Sequence, residues 1–161
     1  MRKPPRKHHN NQFTHIANHG TRVKKQLDLP GLALGCWPLA GMTRAGVTRE
    51  AAVETVAAAI DHGITHLDTA YCYGENGESE RAIAQAIKGR QNEVTIASKC
   101  GIHWQVGKKQ TVNGHPDRII QEVQESLDRL QLDRLDRLSL HTPDPTIPLQ
   151  DSAPALRRLL D

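Results

Sequence analysis

Apolar and polar residues follow a repeating order along most of this chain. A short apolar run comes first, then a longer stretch in which apolar residues recur every three or four positions. Residues 32–37 form the first run, ended by Pro38, and read as a buried strand. Thr48 is placed to cap a helix in which Val53, Val56, Ala57 and Ile60 share one face, and Gly63 is placed to stop it. Residues 64–67 read as a second strand, turning at Asp68, with a loop at 74–77. Residues 79–88 read as a helix with Ile83 and Ile87 inward, closed by Gly89, and the β-branched run 94–98 as a third strand. A polar loop is expected over 101–114. The most amphipathic helix follows over 117–130, with Ile120, Val123, Leu127 and Leu130 as its apolar stripe. Residues 135–140 are a fourth strand ending at His141. Pro143, Pro145 and Pro148 stiffen the next loop, and a fourth helix begins at Leu149.

Strand and helix alternating four times predict an α/β fold of parallel strands with helical crossovers. Two architectures have this order, an open doubly wound sheet and a closed eightfold barrel. The first strand runs into GCWPLAG, which lacks the GxGxxG of a dinucleotide fold, and no other Gly-rich phosphate cradle occurs.

Charge separates the first residues from the rest. Arg2, Lys3, Arg6, Lys7, Arg22, Lys24 and Lys25 lie in a stretch without acidic residues. Without those seven of the chain's 21 basic residues, its 18 acidic ones are the majority. Residues 1–28 therefore read as a basic, disordered tail, and 29–161 as the folded domain. The tail offers an electrostatic footprint for nucleic acid, but no nucleic-acid-binding fold accompanies it, so no such partner is expected. His15 and His19 have a helical i, i+4 spacing without a third ligand nearby, so no metal is expected. Cys36, Cys72 and Cys100 form no CxxC pair. With no signal-peptide pattern or membrane-spanning stretch, they imply reduced thiols in the cytoplasm and no membrane partner. Aromatic residues make up only 3% of the chain, so Leu, Ile, Val and Ala must build its core.

Candidate chemistry sits at the strand ends. Asp68 ends the second strand with Tyr73 just beyond, Lys99 ends the third and His141 the fourth. In a parallel αβ structure these ends share one face, where active sites form. A tyrosine, with a pKa of about 10, is a poor acid at neutral pH. An ammonium beside it stabilises the phenolate, and a carboxylate beside the ammonium holds it charged and oriented. A histidine at the same mouth can hydrogen-bond a substrate oxygen, so together the four can protonate a carbonyl becoming an alkoxide. Taken singly, Asp68 reads as a cap, Tyr73 as a rim aromatic, Lys99 as a solvated charge and His141 as a partner for a backbone carbonyl. Their joint placement argues for chemistry.

DHGITHLDTAYCYGENGESE at 61–80 resembles the signature of the aldo-keto reductase family, in which an Asp-Thr-Ala strand end leads to Tyr-Gly. GLALGCWPLAG at 31–41, VTIASKCG at 94–101 and DRLDRLSLHTPDP at 133–145 are similar to the family's first, third and fourth strands. The resemblance is collinear from about residue 29 onward. It implies a TIM barrel of which this chain supplies about four βα units, and a reduced nicotinamide cofactor, NADPH. It also implies an aldehyde or ketone as small-molecule substrate. Asp68, Tyr73, Lys99 and His141 are carried over as the catalytic four, with Tyr73 as the acid. Gly35, Cys36, Trp37 and Asp68 are carried over as residues at the nicotinamide end.

Cys36 stands where many family members have threonine. Cys72 and Cys100 flank the catalytic pair and are expected to point away from it as packing thiols. Trp37 and Trp104 are candidates for the pocket wall, Trp104 equally for a loop anchor. A complete barrel takes about 250 residues. The family's fifth to eighth strands, which hold the cofactor's pyrophosphate and adenosine phosphate, have no counterpart here. Exposed sheet edges invite self-association. The alternative to a working reductase is a truncated, inactive fragment, or a half-barrel that serves another chain as structural partner.

Overall fold

Four βα units follow one another in the computed structural model, which describes residues 31–43 and 45–159. β1 (Ala33–Gly35) leads through a 3-10 turn at Trp37–Ala40 to α1 (Arg49–Asp61), and β2 (His66–Asp68) leads to α2 (Glu78–Ala86). β3 (Thr95–Cys100) passes through a hairpin of β4 (Ile102–Gln105) and β5 (Lys109–Val112) to α3 (Pro116–Leu130). β6 (Arg137–Leu140) leads to α4 (Leu149–Arg158). The basic tail expected at 1–28 lies outside the described residues.

β1, β2, β3 and β6 form one parallel sheet in that order, so among the described residues β1 and β6 are its edges. This is half of an eight-stranded (βα) barrel: a partial TIM barrel of about four units. Pairing partners in a parallel sheet share a face, and side chains alternate between faces. Leu34, Leu67 and Ile96 therefore line one face, which the helices cover. Gly35, Asp68, Ala97 and Arg137 line the other, with Lys99 and Ser139 one step further along. The helix side packs as two clusters. Val56, Ile60, Leu67, Ile83, Ile87, Ile96 and Leu130 fill the larger; Cys100, Ile119, Val123 and Ala155 fill the smaller.

Several expected boundaries shift, each for a local reason. β1 ends at Gly35 rather than at residue 37, because Cys36 already leaves the extended region and Trp37 opens the 3-10 turn. β2 begins two residues later than expected. The end of α1 claims the preceding residues: Gly63 is left-handed, its N–H reaches Ile60 O, and Ile64 N–H reaches back to Ala59 O. That bond pair closes a helix on a left-handed glycine. The expected loop at 101–114 contains the β4–β5 hairpin, turned at Gly107 and Lys108, both with positive φ. The buried stripe of α3 runs through Ile119, Val123, Ser126 and Leu130 and includes Glu122, whereas Ile120 and Leu127 are half-buried.

The α1 start matches its cap. Thr48 is extended, and its hydroxyl accepts from Ala51 N–H at 3.1 Å. Thr48→Ala is expected to cost about 1 kcal/mol, read as a lower urea midpoint with an unchanged slope.

Candidate functional site

Asp68 ends β2 and Lys99 lies near the end of β3. Ala97 is the register partner of Asp68, so Lys99, two residues on, shares its face. Past Asp68 the chain keeps pairing with β3: Thr69 N–H bonds Ala97 O and Tyr71 N–H bonds Lys99 O, both at 2.9 Å. Then it turns. Tyr73 N–H reaches Ala70 O, and Ser79 N–H reaches Tyr73 O. The Ser79 hydroxyl bonds Thr69 Oγ1 at 2.9 Å and donates to Cys36 O at 3.1 Å, tying the loop to the end of β1. Gly77 has a left-handed φ of 70°, and a Cβ there would lie 2.5 Å from Arg129 Cδ, so only glycine fits.

This folding brings Asp68, Tyr73, Lys99 and His141 together. Lys99 Nζ donates to Asp68 Oδ1 at 2.8 Å, to the carbonyl of Thr69 at 2.9 Å and to the Tyr73 hydroxyl at 3.2 Å. Burial works against the ammonium charge. The hydrogen bonds that Lys99 donates to Asp68 and Tyr73 outweigh that penalty and hold the Lys99 pKa above its ordinary value. His141 follows β6, and its N–H bonds Cys100 O at 2.8 Å. Its ring stands edge-on to Tyr73 with centroids 5.9 Å apart. Burial first, then the Lys99 charge, lower the His141 pKa against a smaller opposing pull from Asp68, so the imidazole is neutral at pH 7.

The residues expected at the nicotinamide end divide. Gly35 is open, since a Cβ there would meet nothing within 4 Å. Trp37 packs edge-on against Tyr73 at 5.1 Å between centroids. Cys36, between Gly35 and Trp37 in the chain, turns its side chain into the core. Its thiol is fully buried in the core and donates to Leu34 O, and its N–H is spent on Asp68 O at 2.9 Å. Burial, then the Asp68 charge, push its pKa up to about 12, so it is an inert thiol facing the helices.

Cys100 packs with Ile119 and Val123. Cys72, expected to point away from the site, instead lies 3.5 Å from His141 Nδ1: it stands four residues past Asp68, and the pairing with β3 that continues to Tyr71 keeps it on the face of Asp68. Trp104 is an anchor: its Nε1 donates to Cys72 O at 3.0 Å and fastens the hairpin to the loop.

Sequence reasoning missed the charged lattice behind this loop. Glu80 and Glu122 are fully buried. Arg129 donates to Glu80 Oε2 at 3.3 Å and to the carbonyl of Tyr71 at 3.2 Å, and lies 4.3 Å over the Tyr71 ring. Arg118 bonds Glu122 Oε1 at 3.0 Å and the Tyr71 hydroxyl at 3.2 Å, and that hydroxyl donates to Glu125 Oε2 at 2.5 Å. Glu122 also accepts Gly101 N–H at 2.6 Å. The pairs 118–122 and 125–129 have the i, i+4 spacing of solvated surface pairs, which hid the burial of Glu122 and most of Arg129.

Comparison with known proteins places the chain among reductases. The model of the aldo/keto reductase family matches residues 31–161. "Aldo-keto reductase YhdN" of Bacillus subtilis (strain 168) is 35% identical over 154 residues, covering 93% of this chain and 44% of the relative. Among solved structures, the glycerol dehydrogenase AKR11B4 from Gluconobacter oxydans is 35% identical with a TM-score of 0.70, over 80% of this chain and 40% of its own. An aldo/keto reductase from Klebsiella pneumoniae in complex with NADP and acetate is 31% identical with a TM-score of 0.66, over 82% of this chain and 42% of its own. The chain thus spans less than half the length of these relatives.

Proposed function

Because this chain belongs to the aldo/keto reductase family, an oxidoreductase family acting on small carbonyl compounds, we propose that it reduces an aldehyde or ketone to an alcohol with NADPH. Tyr73 donates the proton. The observation that carries this reading is the single ammonium of Lys99 bonded at once to Asp68 and to the Tyr73 hydroxyl. As the Tyr73 proton leaves for the carbonyl oxygen, that ammonium stabilises the negative charge arising on the phenol oxygen. Asp68 keeps Lys99 charged and aimed. His141, neutral, hydrogen-bonds the carbonyl oxygen and orients it.

Bound NADPH would supply the hydride. The residues at hand fit its reacting ring. Gly35 leaves an open, flat surface beside the Asp68 carboxylate, and Trp37 and Tyr73 supply aromatic edges. Cys36 takes part only by its place in the chain between Gly35 and Trp37. Phosphates need cations and backbone N–H groups arranged around them, and in this family those come mostly from the second half of the barrel. A polypeptide of these 161 residues is therefore expected to show no saturable NADPH fluorescence change at micromolar concentrations. Saturation there, with aldehyde turnover, would mean that the half-barrel works unaided.

A second reading is favoured by the two edge strands. Neither β1 nor β6 has a partner on its outer side among the described residues. On this reading the 161 residues are a half-barrel that another polypeptide, or a second copy, completes. No helix among the described residues is long and apolar enough to cross a membrane. The three unpaired, buried thiols fit a reducing compartment such as the cytoplasm.

The decisive experiment joins this chain to the second half of the Bacillus subtilis relative and measures NADPH oxidation with a reactive aldehyde. Activity that depends on Tyr73 supports the reading. A folded chimera with no activity, or one indifferent to Tyr73, overturns it.

A further inference from the structure

We propose that Cys72 is a positioning residue for His141: its thiol donates to Nδ1 and fixes the imidazole in the tautomer that carries its proton on Nε2. Its use in catalysis rests on the reductase reading above; the tautomer itself does not. Sγ of Cys72 lies 3.5 Å from Nδ1 of His141, within range for a sulfur hydrogen bond. Both partners are held from outside the contact. The Cys72 carbonyl accepts from Trp104 Nε1, and the His141 N–H is bonded to Cys100 O.

The thiol can act only as a donor of its own hydrogen or as a weak sulfur acceptor. Burial above all pushes its pKa up to about 11, so it keeps that hydrogen at neutral pH. Burial and Lys99 keep the ring neutral, and a neutral imidazole has one bare nitrogen and one N–H. Bare imidazole nitrogen is a far better acceptor than a thiol sulfur. S–H to Nδ1 therefore satisfies both groups, whereas the reverse tautomer would place a strong donor on a poor acceptor. The consequence is a fixed Nε2–H, the group His141 needs to donate to a substrate carbonyl oxygen. An Nδ1–H tautomer would turn a lone pair toward that oxygen and repel it.

The test is long-range ¹⁵N–¹H spectroscopy of the His141 ring in the full chain near pH 8, which needs neither cofactor nor turnover. A failed reductase assay therefore leaves it unaffected. Wild-type protein is expected to show the Nε2–H pattern. Cys72→Val is expected to lower the ratio of Nε2–H to Nδ1–H roughly two- to tenfold, the effect of losing one neutral hydrogen bond. Cys72→Ser, which restores a donor, should return it. A merely structural role would not move this ratio in a folded variant. If Cys72→Val does not fold, Cys72→Ala, which adds no bulk, gives the same reading. An Nδ1–H pattern in the wild type, or an unchanged ratio in the folded Val or Ala variant, would overturn the proposal.

Discussion

Tyr73→Phe, made in the completed chimeric barrel, is expected to lower kcat for a reactive aldehyde by roughly 10²- to 10⁴-fold with KM little changed. The phenol oxygen alone is removed, and the ring that packs against Trp37 and His141 stays. Substrate and cofactor can still bind. What is lost is the proton that meets the developing alkoxide, an interaction made in the transition state, and such losses appear in kcat. Lys99 would keep its bonds to Asp68 and Thr69, so the site should not collapse. A steady-state comparison of the two proteins with one aldehyde checks this. A fall confined to KM would mean that Tyr73 only binds substrate.

Arg129→Met should destabilise the chain by about 3 kcal/mol, because removing one member of a buried pair strands the other. The stranded group is Glu80, fully buried behind the Tyr73 loop. Burial already raises the Glu80 pKa, with Ser126 and then Arg129 opposing it. Without Arg129 the pKa rises further. A carboxyl whose folded pKa exceeds its unfolded value binds more protons when folded, so stability falls as pH rises between the two values. The penalty should therefore be smaller at pH 5 than at pH 8, measured by urea unfolding of both proteins at each pH. Equal penalties would show that packing of the Arg129 stem on Tyr71, rather than charge, makes the difference.

Much of the site was legible because its determinants are local. Asp68, Lys99 and His141 sit at or just past strand ends, and strand period, helix caps and the order of elements are written in neighbouring residues. Thr48 capping α1 through Ala51 is of the same kind. The hairpin of β4 and β5 was not legible, because polar residues such as Lys109 and Gln110 carry no strand pattern. Their pairing with Gln105 and Trp104 comes from the turn at Gly107 and Lys108. Which face of α3 is buried also escaped, since Glu122 reads as a solvated residue until Gly101 and Arg118 are placed beside its carboxylate.

The sequence by itself thus determined the four βα repeats and which residues stand at or just past the strand ends, since strands, caps and helices follow from residues a few positions apart. Only the tertiary structure decided which charges are buried and which way the cysteines face. Glu80 is tolerable in the core because Arg129, far along the chain, reaches it across the Tyr71 ring. Cys72 meets His141 because the pairing with β3 runs on past Asp68 to Tyr71 and β6 brings His141 alongside, and the hairpin holds the loop there through Trp104. Burial costs and hydrogen-bond partners are set by groups that meet only once the sheet has formed, and no local pattern encodes them.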